Sequence, residues 1–383
     1  MDRLTRTGAS LAVVVGLLLL VGCSPAPAAS PTAAPKPTEA PKPPAPASPA
    51  ASPAASPAPS PAASPAAGLT PQPSSPVATV KVAHAPSVLF APLYVAIEKG
   101  YLGSQGIRVQ LETVAAGQDA MAMAANNQLD VVVAGFSAAT FNAIDRGLEL
   151  RIVSSMGQQA RQGYPSALMV RKELLDSGQV KEIKDLKGRK IAMSGGVGAA
   201  GSYWVAVKLR SAGLSLKDVE VVNIGFPDMV QAFKQGAIDA ALPPAPFTNQ
   251  IIRDGSADYF GGQLSPGASA VGTVYGSGFI KGPEEWGRRF MIALVKGSRD
   301  LQGGRIKSDE ILRILSNYTN TPLDTLKTMD PYDFDPDLKL DVATLTDMQQ
   351  VFIDEGILKF ASPIGPEKWA DDSFIKYAVS QLR

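Results

Sequence analysis

Hydrophobic positions divide the 383 residues into three regimes. Residues 11–21 form an apolar run, broken only by Gly16 and preceded by Arg3 and Arg6. Residues 24–76 carry apolar periodicity of neither the helical nor the strand kind. From Val77 onward, short β-rich runs alternate with stretches of helical spacing. Val80-Lys81-Val82-Ala83, Val109-Gln110-Leu111-Glu112 and Val131-Val132-Val133-Ala134 read as strands, and residues 120–128 read as a helix. This order then recurs. Arg189-Lys190-Ile191-Ala192 matches the first strand, Tyr203-Trp204-Val205-Ala206-Val207 matches Leu93-Tyr94-Val95-Ala96-Ile97, and Gly213-Leu214 matches Gly106-Ile107. Gly117, Asp119, Asp130 and Gly147 correspond to Gly225, Asp228, Asp239 and Gly255, at a nearly constant offset of 107–109 residues.

Each copy reads strand, helix, strand, helix, strand. That alternation implies a parallel sheet with helices on both faces. Two copies imply an α/β protein with two doubly wound lobes and a ligand cleft between them, because open α/β sheets bind ligands beyond the carboxyl ends of their strands. The lobes are expected at 77–168 plus 275–383 and at 169–274. The last stretch reads as helices at 284–301, 308–318, 340–355 and 372–382, punctuated by Pro322, Pro331, Pro336, Pro363 and Pro366. It is expected to pack back on the first lobe.

Composition narrows the chemistry. One Cys excludes an internal disulfide framework and a Cys-based zinc site, and one His excludes a multi-His metal cluster. No metal or cofactor is expected. Net charge is +1, without the basic surplus of a nucleic-acid binder. Residues 1–22 have the charged-then-apolar order of a signal peptide. They end Leu20-Val21-Gly22-Cys23, which is similar to the lipobox of bacterial lipoproteins, so Cys23 is the candidate lipidation site and the folded part is expected outside the cytoplasm at the cell membrane. An ordinary signal peptide is the alternative. Residues 24–76 hold 18 of the 32 prolines, mostly among Ala and Ser. They read as a disordered tether, extending at roughly 3.1 Å per residue, or as a glycosylated stalk.

Candidate binding residues lie in the strand-end loops. Gly196-Val197-Gly198-Ala199-Ala200-Gly201 matches the dinucleotide pattern G-x-G-x-x-G between the strand Lys190–Met193 and a helix at 202–212. The acidic residue downstream, Glu220, begins the next strand (219–224) rather than ending it, so the nucleotide reading is rejected. The free N–H groups of such a loop, headed by Gly195, still suit anions and polar acceptors. The aromatics Phe90, Tyr94, Phe136, Tyr164, Tyr203, Trp204, Phe226 and Phe247 fall in or beside these loops, where flat side chains can stack a planar ligand. Ser137 lies in the loop Gly135-Phe136-Ser137. Asp119 and Asp228 read as helix N-caps, and Asp228 is also a candidate ligand acceptor. His84 has no Ser and Asp partners at recognisable spacing and no G-x-S-x-G elbow, so catalysis is not expected.

The run Ala91-Pro92-Leu93-Tyr94-Val95-Ala96-Ile97-Glu98-Lys99-Gly100-Tyr101-Leu102, the segment from Gly117 to Gly135, Asp185-Leu186-Lys187-Gly188-Arg189-Lys190-Ile191-Ala192 and Ala232-Phe233-Lys234-Gln235-Gly236-Ala237-Ile238-Asp239 together resemble the nitrate/sulfonate/taurine and thiamine-pyrimidine group of ABC-transporter substrate-binding proteins. The resemblance covers residues 77 to about 264 and is weak in the C-terminal helices. It implies a type II periplasmic-binding-protein fold that closes on a hinge, no chemistry on the ligand, a monomer, and delivery to a membrane permease with a cytoplasmic ATPase. Within the group the likeness leans to riboflavin-binding proteins, and the aromatic set favours a planar heterocycle. A thiamine-type pyrimidine precursor, or a sulfonate, taurine or nitrate, is the alternative ligand. An exported enzyme related to pyrimidine synthases would need His and Cys residues that this sequence lacks.

Overall fold

The computed structural model describes residues 78–114, 117–282 and 284–383. Cys23, the apolar run before it and the Pro-rich segment lie outside the described residues, as does the side chain of Asp119. Among the described residues, no helix is long and apolar enough to cross a membrane.

The first part of the chain runs β1 (Ala78–His84), α1 (Ala91–Glu98), α2 (Tyr101–Ser104), β2 (Ile107–Thr113), α3 (Gly117–Ala125), β3 (Val131–Gly135), α4 (Ala138–Asp145), β4 (Arg151–Ser155) and β5 (Gly157–Gln158). The middle part runs β6 (Met169–Arg171), α5 (Lys172–Asp176), β7 (Lys190–Met193), α6 (Ala200–Arg210), β8 (Glu220–Asn223), α7 (Phe226–Lys234), β9 (Ala240–Ala241), α8 (Phe247–Asp254) and β10 (Ala257–Tyr259). The return runs β11 (Val271–Tyr275), α9 (Ser277–Lys281), α10 (Glu284–Arg299), α11 (Asp309–Thr319), α12 (Leu323–Thr328), β12 (Asp333–Phe334), α13 (Val342–Asp354), α14 (Pro366–Trp369) and α15 (Ser373–Gln381).

Two five-stranded sheets result, ordered β2-β1-β3-β11-β4 and β10-β6-β9-β7-β8. Read from the other end, the second is β8-β7-β9-β6-β10, so the repeated units build one topology twice. In each, three parallel strands come from the repeat and the fourth, β11 or β6, pairs antiparallel with the third. The pattern of β1 shows why it lies where it does. Val80 and Val82 are buried, whereas Thr79 and Lys81 between and beside them are exposed. Strand β3, with Val131, Val132 and Val133 all buried, has helices on both faces.

The predicted C-terminal helices appear within a few residues of the expected bounds. Most of them pack on the first lobe: α10 lies against α1 and α15, α11 against α1, and α14 and α15 against β4. Two do not stay there. Helix α12 reaches α8 of the second lobe, with Arg253 donating to Thr325 at 3.0 Å. Helix α13 contacts both α4 of the first lobe and α6 of the second. Helices α12 and α13 thus contact the second lobe as well. Tyr203 donates to Asp347 at 2.7 Å, Arg210 meets Asp354 at 2.7 Å, and the Leu216 N–H donates to the buried Glu355 at 3.0 Å. A single apolar cluster runs from Phe141 and Ile152 of the first lobe through Trp204 and Leu209 of the second to Leu345, Met348 and Phe352 of α13.

Candidate functional site

The carboxyl ends of both parallel strand sets face one another, and a cavity of about 110 Å³ lies between them. The loop after β1 contributes Ala85, Ser87, Leu89 and Phe90, and the end of β3 contributes Gly135 and Ser137. From the opposite lobe come Ser194, the start of α6 (Ala199, Ala200, Gly201 and Trp204), Phe226 at the head of α7, and Leu242 and Pro244 after β9. The segments joining the lobes add Gly157, Gln159, Ser166, Ala270 and Val271. These two joining segments are tied together: the Gln159 N–H donates to Ala268 O at 2.8 Å, and Gly267 donates back to Gln159 O at 2.7 Å.

The lobes are drawn together at the cavity's edge. The Ala138 N–H, at the start of α4, donates across the gap to Gly198 O at 2.8 Å. Gly198 holds φ +92°, and a Cβ there would lie 3.2 Å from Ile357 and 3.3 Å from Ala138. Only glycine takes that backbone shape without strain, and only glycine lets the two surfaces come this close.

Among the described residues, no charged side chain lines the cavity. Its walls are apolar and aromatic, with a few polar groups. Ser137 caps α4 by accepting from Thr140 N at 3.4 Å, Ser87 accepts from Leu89 N at 3.3 Å, and Ser166 is engaged with the Tyr332 hydroxyl at 2.7 Å. Helix α6 has Ala199 at its N-cap position, with no side-chain cap and no acidic residue in its first turn. Its N-terminal end, which lines the cavity, is therefore suited to an acceptor atom or anion. Among the described residues, no group of three or more His, Cys, Asp or Glu side chains is placed to hold a metal ion.

Of the residues singled out from the sequence, Phe90, Ser137, Trp204 and Phe226 line the cavity. The others take different places. Tyr94 is fully buried in the first lobe, its ring stacked 4.5 Å from Tyr318 and its hydroxyl 3.0 Å from His84 Nδ1. It supports the wall from behind, since the Ser87 N–H donates to that hydroxyl at 3.3 Å. Phe136 points into the core, and Tyr203 turns toward Asp347 on α13. Tyr164 stacks on Tyr259 at 4.8 Å, with its N–H donating to Asp330. Phe247 lies 6.1 Å from Phe226, behind it. The Gly195 N–H donates to Asn223 at 2.9 Å. Asp228 is not the N-cap of α7, which is Gly225. It stands in the first turn instead, where its charge favours the helix dipole.

His84 sits behind the same wall. Its Nε2 lies 3.4 Å from Thr113 Oγ1, and burial lowers its pKa from 6.5 to about 4, so the ring is neutral at ordinary pH. It is a hydrogen-bonding strut without contact to the cavity. The sequence reading passed over Gln159, Ser194, Leu89 and Leu242. Nothing in the sequence around it distinguishes Gln159 from Gln158.

Comparison with known proteins agrees with this architecture. Residues 88–253 match the family model described as NMT1/THI5 like. Riboflavin-binding protein RibY of Chloroflexus aurantiacus is 29% identical over 157 residues, which is 40% of this chain, and the chain spans 42% of the length of that curated relative. Among solved structures, the periplasmic nitrate-binding protein NrtA from Synechocystis PCC 6803 superposes with a TM-score of 0.64 at 14% identity, over 80% of this chain and 89% of NrtA. The alkanesulfonate-binding protein SsuA from Xanthomonas axonopodis pv. citri, bound to MOPS, gives 0.60 at 17% identity, over 78% of this chain and all of SsuA. The chain therefore has the two-lobed type II periplasmic-binding-protein fold, and its residues 88–253 are similar to the NMT1/THI5-like family.

Proposed function

We propose that this protein is the extracytoplasmic solute-binding component of an ABC importer. It captures a small, neutral, planar heterocycle between its lobes and hands it to a membrane permease with a cytoplasmic ATPase, without transforming it. The observation that carries the reading is an inter-lobe cavity walled by Phe90, Trp204 and Phe226, with no charged side chain on its lining among the described residues. Aromatic faces stack flat rings, and an uncharged lining favours a neutral solute over an ion. Riboflavin is the leading ligand, supported by the 29% identity to a riboflavin-binding protein.

The cavity, about 110 Å³, is below the roughly 300–1,000 Å³ of drug-sized ligand sites. A solute as large as riboflavin therefore requires the lobes to part from the arrangement described here, as hinge closure does in reverse. Lipid attachment at Cys23, with residues 24–76 as a tether, would keep such a domain at the cell membrane beside its permease.

A second reading has its own support. The uncapped start of α6 faces the cavity, and that feature suits a sulfonate or nitrate. Thermal denaturation against riboflavin, a thiamine-type pyrimidine, taurine and nitrate separates the two. A solute at about 100 times its Kd adds roughly 2.7 kcal/mol to the stability. A shift with riboflavin and none with the anions supports the first reading, and the reverse pattern replaces it with the second. Riboflavin fluorescence gives a parallel measurement, since stacking on Trp204 quenches it. In Trp204→Ala, that quenching is expected to fall.

A further inference from the structure

One polar group on the cavity wall is left without a role by everything above. Gln159 is 7% exposed and lines the cavity, yet no hydrogen bond joins its side-chain amide to any described residue. Its side-chain atoms are also not among the fully enclosed polar atoms that lack partners, so the amide retains access to open space, and for a residue this buried that space is the cavity. Buried amides in folded proteins are normally paired, because leaving them unpaired forfeits hydration without compensation. The backbone on either side is fixed: the N–H and C=O of Gln159 are both spent on the opposing joining segment, at 2.8 and 2.7 Å. The amide is thus presented from a held strand at the junction of the lobes.

We propose that Gln159 is the specificity-determining residue of the cavity, and that it pairs side by side with an adjoining N–H and C=O on the ligand: the lactam or imide edge of a neutral ring. This rests on the solute-binding reading above and narrows it. A primary amide offers an N–H donor and a C=O acceptor in one plane, and a –CO–NH– edge is its complement. An anion such as a sulfonate satisfies only the NH₂ and sets its charge against the amide oxygen. An ammonium group satisfies only the oxygen. The aromatic lining formed by Trp204, Phe90 and Phe226 accommodates the faces of a ring whose edge Gln159 reads.

The test uses titration calorimetry on the whole chain, with riboflavin, its N3-methyl derivative, lumazine, taurine and nitrate as probes. Riboflavin and lumazine are expected to bind. N3-methylation, which removes the imide N–H while keeping the ring, is expected to weaken binding at least tenfold. Gln159→Leu is expected to weaken riboflavin at least tenfold and to bind the methylated and unmethylated forms alike. Ligand-free Gln159→Leu should melt at or above the temperature of the parent, because the lost amide had no partner in the protein. A marked drop in Tm would show a structural role for the amide and overturn the proposal. So would equal binding of the methylated form by the parent chain, a measurement that needs no variant. Binding of taurine or nitrate with none of the imides overturns the role of Gln159 while leaving solute capture standing. If no probe of either class binds, solute capture as read here fails, and this inference fails with it.

Discussion

His84 illustrates how a single residue can look chemical and act structurally. It ends β1 with Nδ1 at the Tyr94 hydroxyl and Nε2 near Thr113, and burial holds its pKa near 4. The unfolded chain, with the ordinary value of 6.5, takes up this proton first as pH falls. Stability from this site is therefore complete above pH 6.5 and declines between 6.5 and 4, by at most about 1.4 kcal/mol per pH unit. Urea midpoints at pH 7 and pH 4.5 should differ less in His84→Gln than in the parent. An equal difference would show that His84 does not carry the effect. The neighbouring pair Tyr203 and Trp204 shows what sequence leaves open at this scale. Both are aromatic and both are buried, but consecutive helical positions point about 100° apart. Trp204 turns to the cavity and Tyr203 to α13, and which does which depends on where α13 lands, more than 130 residues later. Tyr203→Phe is expected to leave solute affinity unchanged while lowering stability by about 1 kcal/mol through the lost bond to Asp347, readable from solute titration beside chemical denaturation.

At the scale of elements, α1 and α10 approach closely in the first lobe. A Cβ on Gly297 would stand 2.2 Å from the backbone oxygen of Pro92, an atom that moves only if the whole helix moves. Gly297→Ala should therefore cost about 1–3 kcal/mol or more, the range for overpacked cores, seen as a lower Tm by calorimetry. A Tm within a degree or so of the parent's would mean that the two helices separate freely. The repeated strand–helix order was legible because each copy carries its own local periodicity, and it accounts for the shared β2-β1-β3 and β8-β7-β9 arrangements. The antiparallel entries of β11 and β6 were not legible. Each is placed by a partner distant in sequence, and a run such as Val271–Tyr275 carries no mark of the strand it will join. The straddling of α13 was hidden for a related reason. Its apolar stripe announces a buried face without saying that two different lobes share in burying it.

For the molecule as a whole, the bond from Ala138 to Gly198 and the bare backbone at Gly198 define how near the lobes come. Gly198→Val puts side-chain bulk where Ile357 and Ala138 already stand and imposes an unfavourable φ. Small-angle scattering should show a more extended molecule as the closed state becomes less populated. Unchanged scattering would remove this contact from the closing motion. The cleft itself was readable from the sequence because strand-end loops of a duplicated α/β unit must face one another. Its chemistry was only partly readable, because the wall is made by residues such as Ala85, Gly157 and Gln159 that matter through position rather than type.

The place of β11 in the first sheet has a consequence for the chain as it is made. This strand lies between β3 and β4, yet it follows them by the entire second lobe. Until residue 275 has emerged, the nascent first lobe holds a slot one strand wide, flanked by two edges that cannot pair with each other across it. A strand from a neighbouring copy would fit the same gap. Early chain fragments ending before Val271 should accordingly be prone to self-association, whereas those extending past Tyr275 should not.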